Sequence, residues 1–296
     1  MKHSPKEYVL VTRPWSFPAS AMPVIVSLAW LFSRHQSVNP WIGLWTLLTI
    51  IIVHAAGNVW SDYFDFKSGV DRDDTYGVKI LTSGQFQPKE IMRISIVLQL
   101  AALVSGIALV CATGSTLLWI GVAGILLSLC YPPLKYMALG DVVIYLCYAF
   151  LPMTGVTFIC TGAIQWDVLW LSAPVGLITI AILHANNTRD IETDRRAGIS
   201  TLAMMMGQTT SAVLYCAEVL IPFFWMLLLA VLGIVSWWTS LVWLVFPLSM
   251  KNVRTMMSYR QGGVAAFARL DEASAQLQLA FSLLLSVGLL LSHYLG

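Results

Sequence analysis

Nine apolar runs, each about as long as a bilayer's hydrocarbon core is thick, leave this chain few ways to fold. A helix needs roughly 20 mostly apolar residues to cross that core. Inside it every backbone polar group must find its partner within the segment, which a helix provides. The runs cover about 15–33, 41–60, 92–112, 115–131, 141–161, 167–187, 209–229, 231–249 and 275–294. Several are joined by very short turns, so neighbouring helices must run antiparallel. The mean hydropathy of +0.76 agrees, and 11% charged residues is less than half of the roughly 25% usual in soluble domains. The expected fold class is all-α: a polytopic membrane protein of nine transmembrane helices, forming a single membrane domain over 1–296.

The few charges fix the orientation. Lys2, Lys6 and Arg13 precede the first run; Lys67, Arg72, Lys79, Lys89 and Arg93 follow the second. Lys135 follows the fourth, Arg189, Arg195 and Arg196 the sixth, and Lys251, Arg254, Arg260 and Arg269 the eighth. Nine spans put sixteen of the seventeen basic residues on one side, leaving Arg34 opposite. Basic residues concentrate on the cytoplasmic side of membrane proteins, so the N-terminus is expected there and the C-terminus outside. A net charge of +2 is too small to suggest a nucleic-acid surface. The N-terminal stretch MKHSPKEYVLVTRPW lacks the small-residue cleavage site of a signal peptide, and no processing is expected. Cys111, Cys130, Cys147, Cys160 and Cys216 lie singly in apolar segments and read as buried thiols rather than disulfides or a zinc site.

Two of the apolar runs end in carboxylates on that same cytoplasmic side. Asn58–Asp71 reads NVWSDYFDFKSGVD, and Asn186–Asp194 reads NNTRDIETD. Asn58, Asp62 and Asp65 are spaced i, i+4, i+7, and Asn187, Asp190 and Asp194 i, i+3, i+7, so each trio shares one helical face. His54 and His184 lie one turn deeper. Four spans separate the two clusters, and the matched intervals hint at an old internal duplication. Ionised groups this close to hydrocarbon cost up to about 2.5–3.5 kcal/mol each at its centre, so two matched clusters point to function. Carboxylates without surrounding His or Cys are hard oxygen ligands suited to magnesium, which usually bridges a few of them to substrate phosphates. Asp62, Asp65, Asp190 and Asp194 balance two divalent ions. A bound diphosphate would then be offset by Lys79, Lys135, Arg72 or Arg195. The segment from Phe66 to Glu90, with Gly69, Gly77, Gly84 and Pro88, is long enough to form a lid over such a site. No glycine-rich Walker loop is present, which speaks against nucleotide hydrolysis.

These motifs carry a resemblance. NVWSDYFDFKSGVD (58–71), LTSG (81–84), YPPLKY (131–136), NNTRDIETDRRAGISTLA (186–203) and TRPWSFPASAMPV (12–24) resemble the UbiA superfamily of intramembrane aromatic prenyltransferases. Within it they are most similar to the 1,4-dihydroxy-2-naphthoate polyprenyltransferase branch and its animal vitamin K2-forming relatives. The resemblance covers essentially the whole chain in span count and motif order. It implies that Asp62, Asp65, Asp190 and Asp194 hold magnesium and that Asn58 and Asn187 assist at the diphosphate. Asp71 takes the last acidic position of the first motif, and Tyr131 and Lys135 match a pair at the diphosphate end. Arg72 and Lys79 fall in the capping loop, with Lys79 where related sequences often have arginine, and Arg195 joins the diphosphate-binding set. The implied reaction is ionisation of a polyprenyl diphosphate at magnesium and attack on the allylic cation by the naphthoate ring. A proton and carbon dioxide are then lost, giving demethylmenaquinol, a step of menaquinone biosynthesis in the inner cell membrane with the active site facing the cytoplasm. Alternatives are another aromatic acceptor or, from intramembrane acids alone, a cation-coupled transporter. Trp60, Tyr63 and Tyr148 are candidates for stabilising the cation through their π faces. Glu218 at mid-span, with His54 and His184, has no assigned role. Asp141 and Asp167 at span starts read as helix N-terminal carboxylates.

Overall fold

The computed structural model describes residues 3–73, 75–76 and 79–295; Lys2 and Gly77 lie outside these. It is a bundle of helices, and among the described residues the sole pairing of extended segments is an isolated parallel bridge between Met137 and Ser200. Proline opens many of the helices, because its fixed φ suits the first turn, where its missing N–H is not needed. Helix α1 (Pro5–Val11) lies before the first span and carries a capping box in which Ser4 and Glu7 satisfy each other's backbone N–H. Arg13 then reverses the chain in the left-handed region at φ 55°. Helices α2 (Pro18–Ser33) and α3 (Pro40–Lys67) form the first two long elements. The Asn39 side chain caps α3 by accepting from the N–H groups of Trp41 and Ile42.

Helices α4 (Pro88–Thr113) and α5 (Thr116–Lys135) follow. The next span is composite: α6 (Gly140–Tyr145), a π turn over Leu146–Phe150, and α7 (Leu151–Thr161). Helix α8 (Leu169–Arg189) runs into the short α9 (Ile191–Ala197), which stops at Gly198, φ 72°. Helix α10 (Leu202–Val231) is interrupted at Gly207. A 3-10 helix over Trp237–Val245 leads into α11 (Phe246–Met257), then α12 (Tyr259–Gly262) and α13 (Leu270–Leu295).

Eight helices among the described residues are long and apolar enough to cross a membrane. Seven of the nine expected spans fall on these elements within a few residues, and the last is part of a longer one, Val264–Leu295. The run expected at 231–249 is not one helix. It is divided between the 3-10 segment and α11, because Ser236 caps at Trp238 and the α-helical ladder restarts at Phe246–Pro247. The 3-10 segment packs closely on α13. A Cβ built on Gly288 would sit 2.5 Å from the Trp238 carbonyl oxygen and 2.8 Å from Thr239 Cα.

The main core lies between α2, α7, α8, α10 and α13. Val26, Leu31, Met153, Val175, Ile178, Tyr215, Phe223, Phe281 and Leu285 are buried there. Helices α4 and α5 stand at the edge, with Val97, Val104 and Trp119 outermost, as lipid-facing helices do. All five cysteines are free, but the expected burial is not met: Cys111 and Cys130 are exposed and Cys147, Cys160 and Cys216 are half-buried.

Candidate active site

A cavity of about 550 Å³ runs between α2, α3, α4, α5, the composite span and α8. Its two ends differ in chemistry. The mouth is lined by Arg13, Asn58, Ser61, Asp65, Asp71, Tyr131, Lys135, Asn186, Asn187, Arg189, Asp190 and Asp194. The rest is lined by aliphatic groups of α4, α5 and α7, among them Leu103, Ile107, Leu117, Ile120, Val122, Ile125 and Leu151. Leu103, Ile107, Leu118, Val122 and Ile125 are also exposed on the outer surface, so the apolar end opens sideways between α4 and α5. Gly106 and Gly121 line the same stretch, and a Cβ on either would meet open space.

The two acidic helix ends do meet at one mouth. Asp65, in the last turns of α3, accepts from the Tyr136 hydroxyl at 2.7 Å and from the Lys135 ammonium at 3.2 Å, at the end of α5. Ser61 donates to it at 3.2 Å. Val70 and Asp71 fold back by donating their N–H groups to the Asp65 carbonyl, which brings the Asp71 carboxylate to the wall. Asp190, at the end of α8, is gripped by both Nε (2.8 Å) and Nη2 (2.7 Å) of Arg189. The same guanidinium donates to the Ala268 carbonyl at 3.0 Å, faces Asp271 at 3.5 Å and lies over the Tyr76 ring at 5.0 Å. It thereby joins α8, the start of α13 and the loop after α3. The loops after α5 and α9 are tied by Ser200 N–H donating to the Tyr136 carbonyl and Ala138 N–H to the Ser200 carbonyl. This bridge holds Lys135 and Tyr136 beside Asp194.

Burial governs the titration of the acids beyond the helix ends. It pushes Asp194 up to about 7, with the charges of Asp190 and Asp65 adding and Lys135 opposing. Asp71 is pushed up to about 6, again first by burial and then by Asp65. At both carboxylates burial and the neighbouring acids outweigh the nearby cations.

The expected residues fall into two groups. Asp65, Asp71, Asp190, Asp194, Asn58, Asn187, Tyr131 and Lys135 line the mouth. Asp62 is buried and is not on the wall; it is ion-paired with Arg13, which covers it from the cavity. Arg72, Lys79 and Arg195 point elsewhere. Arg72 donates from Nε to the Gly69 carbonyl at 2.8 Å, and Lys79 donates to the Arg72 and Asp73 carbonyls. The Arg195 side chain is 59% exposed and pairs with Glu192 at 2.6 Å on the outer face of α9. Arg13, Arg189 and Tyr136 were not singled out from sequence. Arg13 comes to the site through a left-handed turn, which leaves no periodic trace. Of the aromatic candidates, Tyr148 lines the cavity. Trp60 donates its indole N–H to the Leu129 carbonyl at 3.2 Å, and Tyr63 packs with Val59 and Ile91. His184 and Glu218 face each other at 3.3 Å inside the bundle, away from the wall.

No three His, Cys, Asp or Glu side chains among the described residues converge into a ready-made cation cage. The donor set nonetheless fits magnesium. It is all oxygen, comes from two helix ends facing one mouth, and includes a buried Asn186 Oδ1 that has no hydrogen-bond partner. Magnesium needs only one or two protein carboxylates when a substrate supplies phosphate oxygens.

Comparison with known proteins agrees with this architecture. Residues 20–270 match the UbiA prenyltransferase family. The chain is 31% identical to UbiA prenyltransferase domain-containing protein 1 of Mus musculus over 297 residues, covering 98% of this chain and 86% of that protein. It is 34% identical over 232 residues to the Drosophila melanogaster homolog, covering 74% and 63%. Among solved structures, the apo UbiA homolog from Aeropyrum pernix K1 superposes with a TM-score of 0.66 at 13% identity, covering 92% of this chain and 96% of that one. The UbiA homolog from Archaeoglobus fulgidus bound to GPP and Mg2+ gives 0.63 at 13% identity, covering 95% and 99%. The chain belongs to the UbiA prenyltransferase family and is a multi-pass, all-α membrane protein of that fold.

Proposed function

We propose that this prenyltransferase moves a polyprenyl group from polyprenyl diphosphate to 1,4-dihydroxy-2-naphthoate, releasing diphosphate and carbon dioxide and giving demethylmenaquinol. The observation that carries the reading is one cavity with two chemistries. Its mouth gathers acids from α3 and α8 with Arg13, Lys135 and Arg189, and its remainder is aliphatic and opens sideways toward lipid. A diphosphate with a long hydrocarbon tail fits that division. The archaeal homolog of this fold bound to GPP and Mg2+ supports the substrate class. The naphthoate as acceptor rests on the NNTRDIETDRRAGISTLA and NVWSDYFDFKSGVD motifs.

Asp65, Asp190 and Asp194 would hold magnesium shared with the diphosphate, Asp62 would join them once Arg13 turns to the substrate, and Asp71 would stand beside them at the diphosphate. Magnesium would supply neutralisation of the departing diphosphate. Lys135, Arg13 and Arg189 bind and orient the same oxygens, Asn58 and Asn187 flank them, and Tyr131 closes the wall. Arg72 and Lys79 brace the loop over the mouth, and Arg195 lies too far out to reach the diphosphate without rearrangement. The whole chain acts as one domain in the inner cell membrane, with its mouth facing the cytoplasm. That side is supported by the sixteen basic residues that nine spans would gather there.

Incubating the purified protein with magnesium, a polyprenyl diphosphate and a mixture of naphthoate, hydroxybenzoate and homogentisate tests the acceptor. The dominant product should have the mass of prenylated, decarboxylated naphthoate. A dominant product from another ring would replace the acceptor and leave the reaction class intact. A cation-coupled transporter is the less favoured reading, because transporters place ionisable groups near the bilayer midplane, whereas these acids sit at helix ends.

A further inference from the structure

Among the described residues His54 is the histidine on the cavity wall, and the diphosphate reading does not use it. It lies on α3 four residues before Asn58, about 6 Å deeper along the helix axis, where the polar mouth gives way to the aliphatic channel. Each ring nitrogen has a serine hydroxyl beside it. Ser20 Oγ lies 2.9 Å from Nδ1, and the same hydroxyl is placed to donate to the Phe17 carbonyl at 3.1 Å. When it does so, Ser20 Oγ accepts toward the ring and favours the tautomer with the proton on Nδ1. On the other side, Ser16 Oγ lies 3.3 Å from Nε2. Its proton goes to the Arg13 carbonyl at 2.8 Å, and it accepts from Asn58 Nδ2 at 3.0 Å. With Nδ1 protonated, Nε2 carries the lone pair and faces the Ser16 hydroxyl. The ring sits on a wall where a substrate is expected.

The ring is also held in place. Tyr148, itself on the wall, meets it edge-on at 4.8 Å between ring centroids, and Phe17 lies at 5.7 Å. The imidazole cannot rotate without breaking the bond to Ser20. Arg13 is the charged group nearby on the α1–α2 turn, and it is ion-paired with Asp62.

We infer that His54 is a catalytic residue of the acceptor half of the reaction, with Nε2 accepting the proton of an aromatic hydroxyl as the ring attacks. This inference rests on the prenyl-transfer reading above. The bond between the prenyl C1 and the diphosphate oxygen breaks, and its electron pair leaves on the diphosphate. The new carbon–carbon bond forms with electrons supplied through the ring from the hydroxyl oxygen, whose proton passes to Nε2. Where the attacked carbon bears a carboxylate, carbon dioxide departs and leaves its pair in the ring. Nε2 then returns the proton to the oxygen, restoring the hydroquinol and the neutral imidazole. Atoms, electrons and charge balance without another reactant. Ser20 acts as a positioning residue by keeping the proton on Nδ1. The acceptor must then be a phenol or hydroquinone that places a hydroxyl beside the attacked carbon.

Two partial reactions separate this role from diphosphate binding. In H54N the amide replaces Nδ1 and can still meet Ser20, whereas in H54Q the amide oxygen takes the place of Nε2 without its basicity. The account expects H54N to lower kcat for prenyl transfer by about 10²-fold or more. Magnesium-dependent hydrolysis of prenyl diphosphate without acceptor should stay within about threefold of wild type. H54Q should keep the KM for the acceptor near wild type while its kcat falls as in H54N. S20A, which frees the tautomer, should lower kcat by about tenfold with hydrolysis unchanged, and it provides the same test should H54N not fold. Wild-type transfer in H54N or S20A, parallel loss of hydrolysis and transfer, or full kcat in H54Q would each overturn the inference. Absence of any transfer by the wild-type protein would instead sink the prenyl-transfer reading itself.

Discussion

Asp65 takes a hydroxyl, an ammonium and a serine while remaining on the cavity wall, so it is the carboxylate most firmly aimed at the mouth. D65N keeps the shape and removes the charge. It should lower turnover by at least about 10³-fold, since metal-borne charge neutralisation is worth several kcal/mol. The protein should stay monodisperse in detergent, and near-normal turnover would remove Asp65 from the site. Asp71 and Asp194 add a dependence on pH. Their folded-state values, about 6 and about 7, lie above the ordinary carboxylate value. The native state therefore binds more protons than the unfolded state between roughly pH 4 and 7, and stability falls as pH rises through that window. Thermal melting of metal-free protein should give a higher Tm at pH 5 than at pH 7.5. Added magnesium should raise Tm more at pH 7.5, where the carboxylates are ionised. At this scale the acids were legible because carboxylates at apolar helix ends are costly. Arg195 misled because its side chain leaves the outer face of α9 while Asp194, one residue earlier, turns inward. Chain order of charges does not encode that direction.

Helices α4 and α5 form the wall through which a hydrocarbon tail would reach lipid. Gly121 faces open space there. G121F should plug the channel, lowering turnover of a long-chain polyprenyl diphosphate by about tenfold or more relative to a five-carbon one, the order lost when an interaction of about 1.4 kcal/mol is removed. Equal effects on both chain lengths would place the tail elsewhere. Gly288 on α13 faces the Trp238 and Thr239 backbone, which cannot swing aside. G288A should cost about 1–3 kcal/mol by overpacking and lower Tm, with the folded fraction still active. Apolar runs made α2 to α5 legible, since composition alone sets their length. The π turn at Leu146–Phe150 and the 3-10 segment at Trp237–Val245 were not, because both arise from how neighbouring helices pack. Gly176 of α8 shows the close packing there: a Cβ on it would fall 2.5 Å from Tyr145, just before the π turn, and 3.0 Å from Ala149 within it. Such features often accompany functional sites, and Tyr148 and Cys147 within the π turn line the cavity.

For the whole molecule, two acidic helix ends four spans apart are what give the helical bundle its polar mouth. Each end alone reads as a solvated terminus. Together they face one mouth over a greasy channel, and that placement follows from helix direction and short turns. A single cysteine at Ser68 should be labelled by an impermeant thiol reagent from the cytoplasmic side and one at Gln36 from the opposite side, in a background lacking the five native cysteines. Labelling both from one side would break the orientation proposed for the first two spans. Purified protein given polyprenyl diphosphate, 1,4-dihydroxy-2-naphthoate and magnesium should release one carbon dioxide for each diphosphate and form prenylated naphthoquinol, with both stopping on chelation of the metal. No turnover with any polyprenyl diphosphate and aromatic acceptor would contradict it.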